Sequence, residues 1–502
     1  MQESNQADRP ISFGHRLSQL AAIHPEKIAV VFLSENGSQS RLSWAELDEA
    51  ANRMARFLSN LGVNDTTMVV IGLPNSPEHL IGTFGTWKLG ACVLPLSAKL
   101  PERERDELVK TANPRVLIAD WSNAQGRQLS RSDFDQLMQF SGLPLPEKTP
   151  HPGKAMPSGG STGRPKIIVD PTPWETTLTQ LLDTYRPYSG IRTGQIQLVV
   201  GPFYHNAPFG WAHFGLFCGH TLVILERFEA SRAVDAIEQF NINFMQLVPT
   251  TMQRIARLDG IDRRDFSSVE GCFHVGAPCP PWVKEKWIEL VGPERLYEAY
   301  GTTENIGATL IRGDDWLQHK GSVGRAVNCE IRILDLDRNE VSPGEIGEIF
   351  MRPVNRAPTY QYLGSNPLES TPDGFASAGD LGWMDPEEFL YIADRRTDLI
   401  ISGGANVFPA EIEGVLNQHP GLVDVVVIGL ADPEWGRRVH ALVEPLDHRA
   451  PPSAEELKRF CRQSLAAHKV PKTYEYLPEL PRDEAGKIRR NQLVAERDSA
   501  TK

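Results

Sequence analysis

The sequence predicts an α/β protein with a large N-terminal domain of layered α/β sheets, a β-rich subdomain and a small, mobile α+β C-terminal domain. Three observations predict this fold class. Strand-like apolar runs alternate with helix-periodic segments before residue 157 and again after residue 190, which is typical of helices layered on mixed or parallel sheets. Beyond Glu330 the segments shorten to strands and turns. Beyond Asp398 a separate group of short elements follows, and a chain of 502 residues is too long for a single core.

Local patterns place the individual elements. Ser43 and Glu46 have the spacing of a capping box, and the apolar residues that follow keep helical spacing until Gly62 ends the helix. A second helix is predicted after Pro77. The predicted strands of the first domain are 27–32, 68–73, 196–200, 221–225, 244–248, 331–334 and 347–351. The C-terminal module has predicted helices at 410–416 and 454–466 and predicted strands at 423–428 and 440–444.

Composition and charge exclude several function classes. A net charge of −12 argues against broad nucleic-acid binding, although an anionic nucleotide can still bind where Lys and Arg converge. No apolar run approaches the roughly 20 residues of a membrane helix, and the first residues have neither the basic nor the apolar segment of a secretory signal. The cysteines form no Cys-x2-Cys pair, so we expect reduced thiols in a cytoplasmic protein. They are Cys92, Cys218, Cys272, Cys279, Cys329 and Cys461.

The loop at 157–166 is the most informative segment. Three glycines and three hydroxyl side chains lie within nine residues there and the loop ends on two cations, so its backbone N–H groups can approach a polyphosphate closely. It lacks the spacing of a Walker loop. A flexible Gly/Ser linker is the alternative, but the ordered Arg-Pro-Lys ending and the strand-like run after it argue against one. The candidate phosphate-binding residues are Ser158, Gly159, Gly160, Ser161, Thr162, Gly163 and Lys166.

Two further clusters contain carboxylates in glycine turns. At 297–304 a carboxylate, Glu304, follows the hydroxyls of Thr302 and Thr303, which suits a Mg²⁺ held together with phosphate oxygens. A surface turn is the alternative interpretation, because it can have the same composition. Asp380 lies in a Gly-flanked turn, where a carboxylate can accept both hydroxyls of a ribose or simply shape the turn.

Two more clusters lie near the start and end of the C-terminal module. The segment 394–409 joins a cationic patch to a strand and a double glycine, and Lys487 is presented by a turn, which by itself predicts only a solvated charge. In this order and spacing, the five segments together resemble the adenylate-forming superfamily of acyl-CoA synthetases, nonribosomal peptide adenylation domains and luciferases. The resemblance covers essentially the whole chain.

The resemblance implies a two-step reaction on two domains. A domain at 1–397 would take ATP and a carboxylic acid, and a domain at 398–502 would rotate about a hinge at Asp398. The carboxylate would attack the α-phosphorus and expel pyrophosphate, and the thiol of CoA would then displace AMP from the acyl-adenylate. The implied cofactors and substrates are ATP, Mg²⁺, coenzyme A and a small carboxylic acid. Nucleic acid and stable membrane insertion are not implied, and the family allows a homodimer.

The resemblance also implies residue roles at matching positions. Lys487 would bridge the substrate carboxylate and the α-phosphate, Thr303 and Glu304 would contact the α-phosphate and Mg²⁺, and Thr162 would be a second metal contact. The frequent motif Gly-Arg-x-Lys-Asp reads Asp-Arg-Arg-Thr-Asp at 394–398, a departure at two positions. The remaining implied ATP and AMP contacts are the loop residues above with Gly276, Ala277, Pro278, Tyr300, Gly301, Thr302, Asp380 and Arg395. The implied CoA channel is Ser402, Gly403 and Gly404.

The acyl pocket is expected around 203–211, where an aromatic segment contains His205. His205 is interpreted as a catalytic or gating residue, with a core histidine as the alternative. The expected pocket residues are Tyr204, His205, Phe209, Trp211 and Gln246. Segments at 200–205, 291–297 and 312–316 resemble ligases for bile acids and other steroid or diterpenoid acids. Medium-chain fatty acids and aryl acids remain alternatives, as do a carrier-protein acceptor and a catalytically inactive nucleotide-binding homologue.

Overall fold

The structure is a computed structural model that describes residues 9–159, 165–354, 360–483 and 486–500. Up to the glycine-rich loop the elements are β1 (Ile11–Ser12), α1 (Phe13–Ile23), β2 (Ile28–Leu33), β3 (Gln39–Ser43), α2 (Trp44–Asn60), β4 (Met68–Gly72), α3 (Pro77–Trp87), β5 (Cys92–Pro95), α4 (Glu102–Ala112), β6 (Val116–Ala119), β7 (Gln128–Leu129), a 3-10 helix (Arg131–Gln139) and β8 (Ala155–Gly159).

The next group carries the chain through the centre of the N-terminal domain. It consists of β9 (Pro165–Val169), β10 (Glu175–Thr176), α5 (Leu178–Ser189), β11 (Ile196–Val199), α6 (Asn206–Phe217), β12 (Thr221–Leu225), α7 (Ala230–Phe240), β13 (Phe244–Leu247), α8 (Pro249–Ala256), a 3-10 helix (Ile261–Arg263), β14 (Gly271–His274), α9 (Pro281–Val291), a 3-10 helix (Pro293–Arg295), β15 (Leu296–Gly301), β16 (Ala308–Arg312) and α10 (Gly313–Gln318).

The last group contains the β-rich part and the C-terminal module. It consists of β17 (Ser322–Val327), β18 (Cys329–Leu334), β19 (Gly347–Pro353), β20 (Gln361–Leu363), β21 (Glu369–Ser370), β22 (Ala376–Ser377), β23 (Asp380–Met384), β24 (Leu390–Arg395), β25 (Ile400–Ser402), β26 (Ala405–Val407), α11 (Pro409–Leu416), β27 (Leu422–Asp432), β28 (Gly436–Pro445), α12 (Ala454–Cys461), a 3-10 helix (Ala467–Lys469), β29 (Thr473–Tyr476) and α13 (Arg490–Ala500).

One large sheet organises the N-terminal domain. Its centre is parallel in the order β15-β14-β13-β11-β12-β2, as the alternation of strands and helices predicts. From β15 it continues without a break into antiparallel strands, β16, β17, β24, β23, β19 and β22. The predicted β-rich subdomain is therefore an extension of the parallel sheet. A second sheet, β5-β4-β6-β7, is parallel, and β20-β9-β8 is antiparallel.

The local patterns are confirmed with one exception. The Ser43–Glu46 capping box is present, and Gly62 follows the helix at φ +84°. Helix α12 ends at Cys461, whereas the sequence predicted a helix to 466. The N–H groups of Ser464 and Leu465 both donate to the Cys461 carbonyl, and Leu465 is buried in the same cluster as α12. The apolar spacing that predicted the longer helix is therefore explained by a turn that buries Leu465.

The C-terminal module has a core of its own. Its main apolar cluster contains buried residues from Ile400 to Val470 only and is built around β27, β28, α11 and α12. The predicted fold class is thus confirmed, while the division at Asp398 stays a prediction. All six cysteines are free thiols, and Cys279 is the least buried of them. A search of the described residues finds no helix long and apolar enough to cross a bilayer.

Candidate active site

A cavity of about 3070 Å³ runs between the large sheet and the C-terminal module. Its floor is formed where the parallel strands end at their carboxyl sides, which is the usual ligand position in open α/β sheets. His205 follows β11, Gln246 lies near the end of β13, Gly276 follows β14 and Tyr300 lies near the end of β15. The sheet order thus brings together predicted site residues that are far apart in the sequence.

Tyr300, Asp380 and Arg395 form one contact group. The Tyr300 hydroxyl donates to Asp380 Oδ2 at 2.7 Å, and Arg395 Nε donates to Asp380 Oδ1 at 3.2 Å. Burial, with the Asp380 charge nearby, raises the pKa of Tyr300 well above its ordinary value, so the ring stays a neutral phenol. Gly276, Ala277 and Pro278 line the same cavity. A flat ring, a carboxylate and a guanidinium arranged in this way suit a nucleoside with a phosphate.

Glu304, Lys166 and Tyr362 form a second group. Lys166 Nζ donates to the Tyr362 hydroxyl at 2.8 Å, this hydroxyl donates to Glu304 Oε1 at 2.5 Å, and Lys166 Nζ lies 3.6 Å from the same oxygen. Burial lowers the pKa of Lys166, and the Glu304 carboxylate partly opposes this shift. Sequence reasoning missed Tyr362. Only the pairing of β20 with β9 brings it beside Lys166, and no local motif predicts that pairing.

Tyr362→Phe is therefore expected to lower kcat/KM for ATP roughly 10-fold, because it removes a hydroxyl that bonds two charged groups at once. Steady-state kinetics of pyrophosphate release at varied ATP would measure the effect. Tyr360→Phe is the matched control. Among the described residues, the Tyr360 hydroxyl accepts from the Leu368 N–H, and its ring lies 5.1 Å from that of Tyr362. Equal losses in both variants would contradict a role for the Tyr362 hydroxyl in holding Lys166 and Glu304.

Lys487 lines the cavity as well. Its side chain is exposed to the cavity, but the surrounding protein displaces water from its ammonium, and this lowers the pKa of Lys487. The positive charge of Arg395 lowers it further, while Asp483 and Glu304 act in the opposite direction. Lys487, Arg395 and Glu304 all line this cavity. The structure therefore brings the last predicted cation into the same cavity as the predicted phosphate-binding residues.

Three contacts hold the Lys487 turn against the N-terminal domain. Arg489 makes a bidentate ion pair with Glu104 at 2.8 and 3.0 Å. Asp483 Oδ2 lies 3.8 Å from His205 Nε2. Gly486 packs so closely on α8 that a Cβ at this position would overlap the Thr250 side chain. The C-terminal module is thus seated with its Lys487 face toward the cavity.

Asp398, the predicted hinge residue, takes part in an ion-pair network. Arg490 bonds Asp398 Oδ2 at 3.0 Å and both oxygens of Glu413 at 2.7 and 2.8 Å. The neighbouring Asp394 accepts from the N–H of Ala410 at the start of α11. Burial raises the pKa of Asp394 to about 6. This network joins residue 398 to the body of the C-terminal module in the present orientation.

The predicted CoA-channel residues lie elsewhere in this orientation. Ser402, Gly403 and Gly404 form the turn of the β25–β26 hairpin and do not line the cavity. The Gly403 N–H donates to the Trp435 carbonyl, and a Cβ on Gly403 would lie 2.8 Å from the Trp435 ring. In this orientation the structure therefore separates these residues from Lys487 and the predicted nucleotide-binding residues.

Four of the five predicted acyl-pocket residues line the cavity: Tyr204, His205, Trp211 and Gln246. Phe209 does not, which corrects the sequence-based expectation. It is fully buried, with its ring 5.8 Å from Trp87 and 4.3 Å from the ring of His213, because it lies on the face of α6 that packs into the core. Sequence reasoning also missed Trp174, Tyr185 and Phe214, which line the same part of the cavity.

The predictions for Gly160, Ser161, Thr162 and Gly163 lie outside the described residues. The described part of the site fits ATP and Mg²⁺. The Thr302 hydroxyl is buried and has no hydrogen-bond partner among the described residues, so it can bond a ligand. Mg²⁺ in nucleotide sites is bound through one or two carboxylates plus phosphate oxygens, and Glu304 supplies one carboxylate beside the cations. Ser158, Gly301 and Thr303 line this region too.

Comparison with known proteins gives concordant matches. The family model described as AMP-binding enzyme matches residues 17–361, and the AMP-binding enzyme C-terminal domain matches 411–487. The 2-succinylbenzoate–CoA ligase of Bacillus subtilis strain 168 is 30% identical over 95% of this chain and 96% of its own. The indoleacetate–CoA ligase of Aromatoleum aromaticum is 29% identical over 95% and 96%. The structure of the o-succinylbenzoate coenzyme A synthetase from Bacillus subtilis with ATP and magnesium superposes with a TM-score of 0.80 at 28% identity, covering 97% of this chain and 99% of that one.

Proposed function

Since this chain belongs to the AMP-binding enzyme family and is an AMP-forming acid–thiol ligase that uses ATP, Mg²⁺ and CoA, we propose that its acid substrate is an aryl carboxylic acid. The observation that carries this proposal is the aromatic wall of the acyl part of the cavity. Trp174, Tyr185, Trp211 and Phe214 line it, and successive ring centroids lie 4.9 to 6.1 Å apart. Aromatic side chains that line a cavity can stack on an aryl guest or meet it edge to face.

The relatives support the same choice. The two curated relatives described above act on 2-succinylbenzoate and indoleacetate, and both of these acids contain an aromatic ring. Bile acids and steroid acids, which the sequence resemblance favoured, are alicyclic and have no flat π face to stack on Trp174 or Phe214. Of the alternatives left by the sequence, the aryl acid therefore has the better support.

In the proposed first step, a carboxylate oxygen attacks the α-phosphorus of ATP and pyrophosphate leaves. Both reactants are anions, so cations must offset their repulsion and the charge that develops in the transition state. We assign this role to Lys487, Lys166 and Arg395. Glu304 would hold Mg²⁺, which neutralises phosphate charge when bound. Asp380 and Tyr300 would fix the ribose and adenine, so that positioning supplies much of the rate.

In the proposed second step, the CoA thiolate attacks the acyl carbonyl and AMP leaves as a good leaving group. Lys487 occupies the cavity in this structure, whereas the 402–404 turn is outside it. We propose that rotation about Asp398 exchanges the two faces. Breaking the Arg490–Asp398 ion pair would free this rotation. Glycines at 403 and 404 would then leave room for a narrow pantetheine chain.

The experiment that tests the substrate proposal is a pyrophosphate-release assay on the purified enzyme with a panel of acids. We expect AMP and pyrophosphate with 2-succinylbenzoate or indoleacetate, and a thioester only when CoA is added. Cholate and octanoate are the comparison acids for the steroid and straight-chain alternatives. Activity confined to either of these would overturn the aryl assignment. Transfer of the acyl group to a carrier protein but not to CoA would overturn the assignment of CoA as the acceptor.

A further inference from the structure

Lys154 is a cation in the wall of the cavity that neither proposed step uses. Its Nζ donates to Asn206 Oδ1 at 2.5 Å and lies 5.2 Å from the centroid of the Trp174 ring. Asn206 is the first residue of α6 and directly follows His205, which faces Asp483 on the loop that carries Lys487. The Lys154 ammonium therefore lies on the acyl side of the cavity, beside the aromatic wall.

The surroundings of Lys154 differ from those of two other lysines in the protein interior. Lys88 Nζ bonds Asp48 Oδ1 and Ser18 Oγ, each at 2.7 Å, and Lys284 Nζ bonds Glu298 Oε2. Both have a carboxylate in direct contact, as interior charges ordinarily do. The only hydrogen bond of Lys154 Nζ among the described residues is to an amide oxygen. Asp170 acts on it only through space.

This arrangement leaves the ammonium with unused binding capacity. A lysine ammonium has three N–H donors, and Asn206 takes one of them. Burial lowers the pKa of Lys154 to about 8, which the Asp170 charge partly opposes, so the group is still mainly protonated at neutral pH. An anion bound beside it would supply the missing counter-charge and accept the two remaining hydrogens.

We propose that Lys154 binds a second carboxylate of the acid substrate, so that the preferred substrate is an aryl dicarboxylic acid. One carboxylate is activated near Lys487, and the other pairs with Lys154. The aromatic wall lies beside Lys154, because Trp174 stacks on Phe214 with ring centroids 6.1 Å apart and Phe214 stacks on Tyr185 at 4.9 Å. An aryl ring between the two carboxylates fits this wall. The inference rests on the proposed ligase function and narrows its substrate class.

The test compares two acids that differ in one carboxylate. 2-Succinylbenzoate is compared with benzoylpropionate, which has the same ring and chain without the ring carboxylate. Pyrophosphate release gives kcat/KM for each acid with the wild-type enzyme and with Lys154→Met, Lys154→Arg and Lys148→Met. Lys148 is an exposed lysine outside the cavity and serves as the matched control. Thermal unfolding of each variant reports any loss of stability.

We expect Lys154→Met to lower kcat/KM for the diacid roughly 10- to 100-fold, because removing a hydrogen bond between charged groups usually costs about this much. The value for benzoylpropionate should change less than about 3-fold, because that acid has no partner for the ammonium. Lys154→Arg should recover part of the diacid activity, and Lys148→Met should behave as wild type. If Lys154 had only a structural role, Lys154→Met would lower kcat/KM equally for both acids.

The outcomes separate this inference from the function on which it rests. If the wild-type enzyme releases pyrophosphate with aryl monoacids and gains nothing from the second carboxylate, the Lys154 assignment is wrong while the ligase proposal stands. Equal losses for both acids in Lys154→Met also overturn it. If no aryl acid supports pyrophosphate release, the proposed substrate class fails and the inference fails with it.

Discussion

Lys487→Ala is expected to lower acyl-adenylate formation by roughly 100-fold or more and to leave thioester formation from a supplied acyl-adenylate nearly unchanged. The ammonium lies with Arg395 and Glu304 in the adenylation cavity, where it would neutralise charge as the carboxylate approaches the α-phosphate. In the second step the 402–404 turn would replace it. Pyrophosphate release measures the first step, and CoA-dependent release of AMP from synthetic acyl-adenylate measures the second.

The pH dependence provides an independent check on Lys487. Because burial and Arg395 lower the pKa of Lys487, the protonated form is lost at a pH below the ordinary lysine value of 10.5. Adenylation should therefore decline as pH rises through this lowered value, and Lys487→Ala should lack that decline. Gly404→Trp is the converse variant: pyrophosphate release should survive better than CoA-ester formation. Equal loss of both steps in Lys487→Ala would contradict the assignment.

Gly486→Ala is expected to impair adenylation by a steric route, without removing any charged group. The added Cβ would lie 2.8 Å from Thr250 Cβ and would overlap Thr250 Oγ1 at the start of α8, so the C-terminal module could not seat as it does here. A displacement of about 1 Å at a reacting group can cost about 100-fold. Pyrophosphate release should fall accordingly. Thioester formation from acyl-adenylate should be retained, because in our proposal that step uses the rotated orientation of the C-terminal module.

The control variant must impose the same backbone strain as Gly486→Ala. Gly486 has φ +76°, so alanine is strained there whatever the space around it. Gly194 has φ +70° with no atom within 4 Å of an added Cβ, so Gly194→Ala imposes the strain without the overlap and should keep both activities. Thr250→Gly should partly restore adenylation in the Gly486→Ala background. Loss of both half-reactions in Gly486→Ala alone would point to misfolding and contradict the steric account.

Several elements could be predicted because their signals are local. The Ser43–Glu46 capping box and the strand at Phe244–Leu247 depend on residues within a few positions of one another, and the structure has both. The helix predicted to reach residue 466 stops at Cys461, because periodicity records which residues are buried and leaves open whether a helix or a turn buries them. The expectation that Phe209 lines the acyl pocket was not met for the same reason. An aromatic residue type indicates burial, but it does not indicate which face of α6 contacts the cavity.

The sequence alone determined the reaction class of this protein, because its five motifs, in their order and spacing, resemble those of the adenylate-forming superfamily. Tertiary structure decided which side chains share the site. Tyr362 reaches Lys166 across 196 residues, and Lys154 reaches Asn206 across 52. The tertiary structure also decided that Lys487 faces the cavity, whereas the turn at 402–404 does not. Such contacts depend on strand order and domain seating, which are set by packing across the whole chain and leave no trace in neighbouring residues.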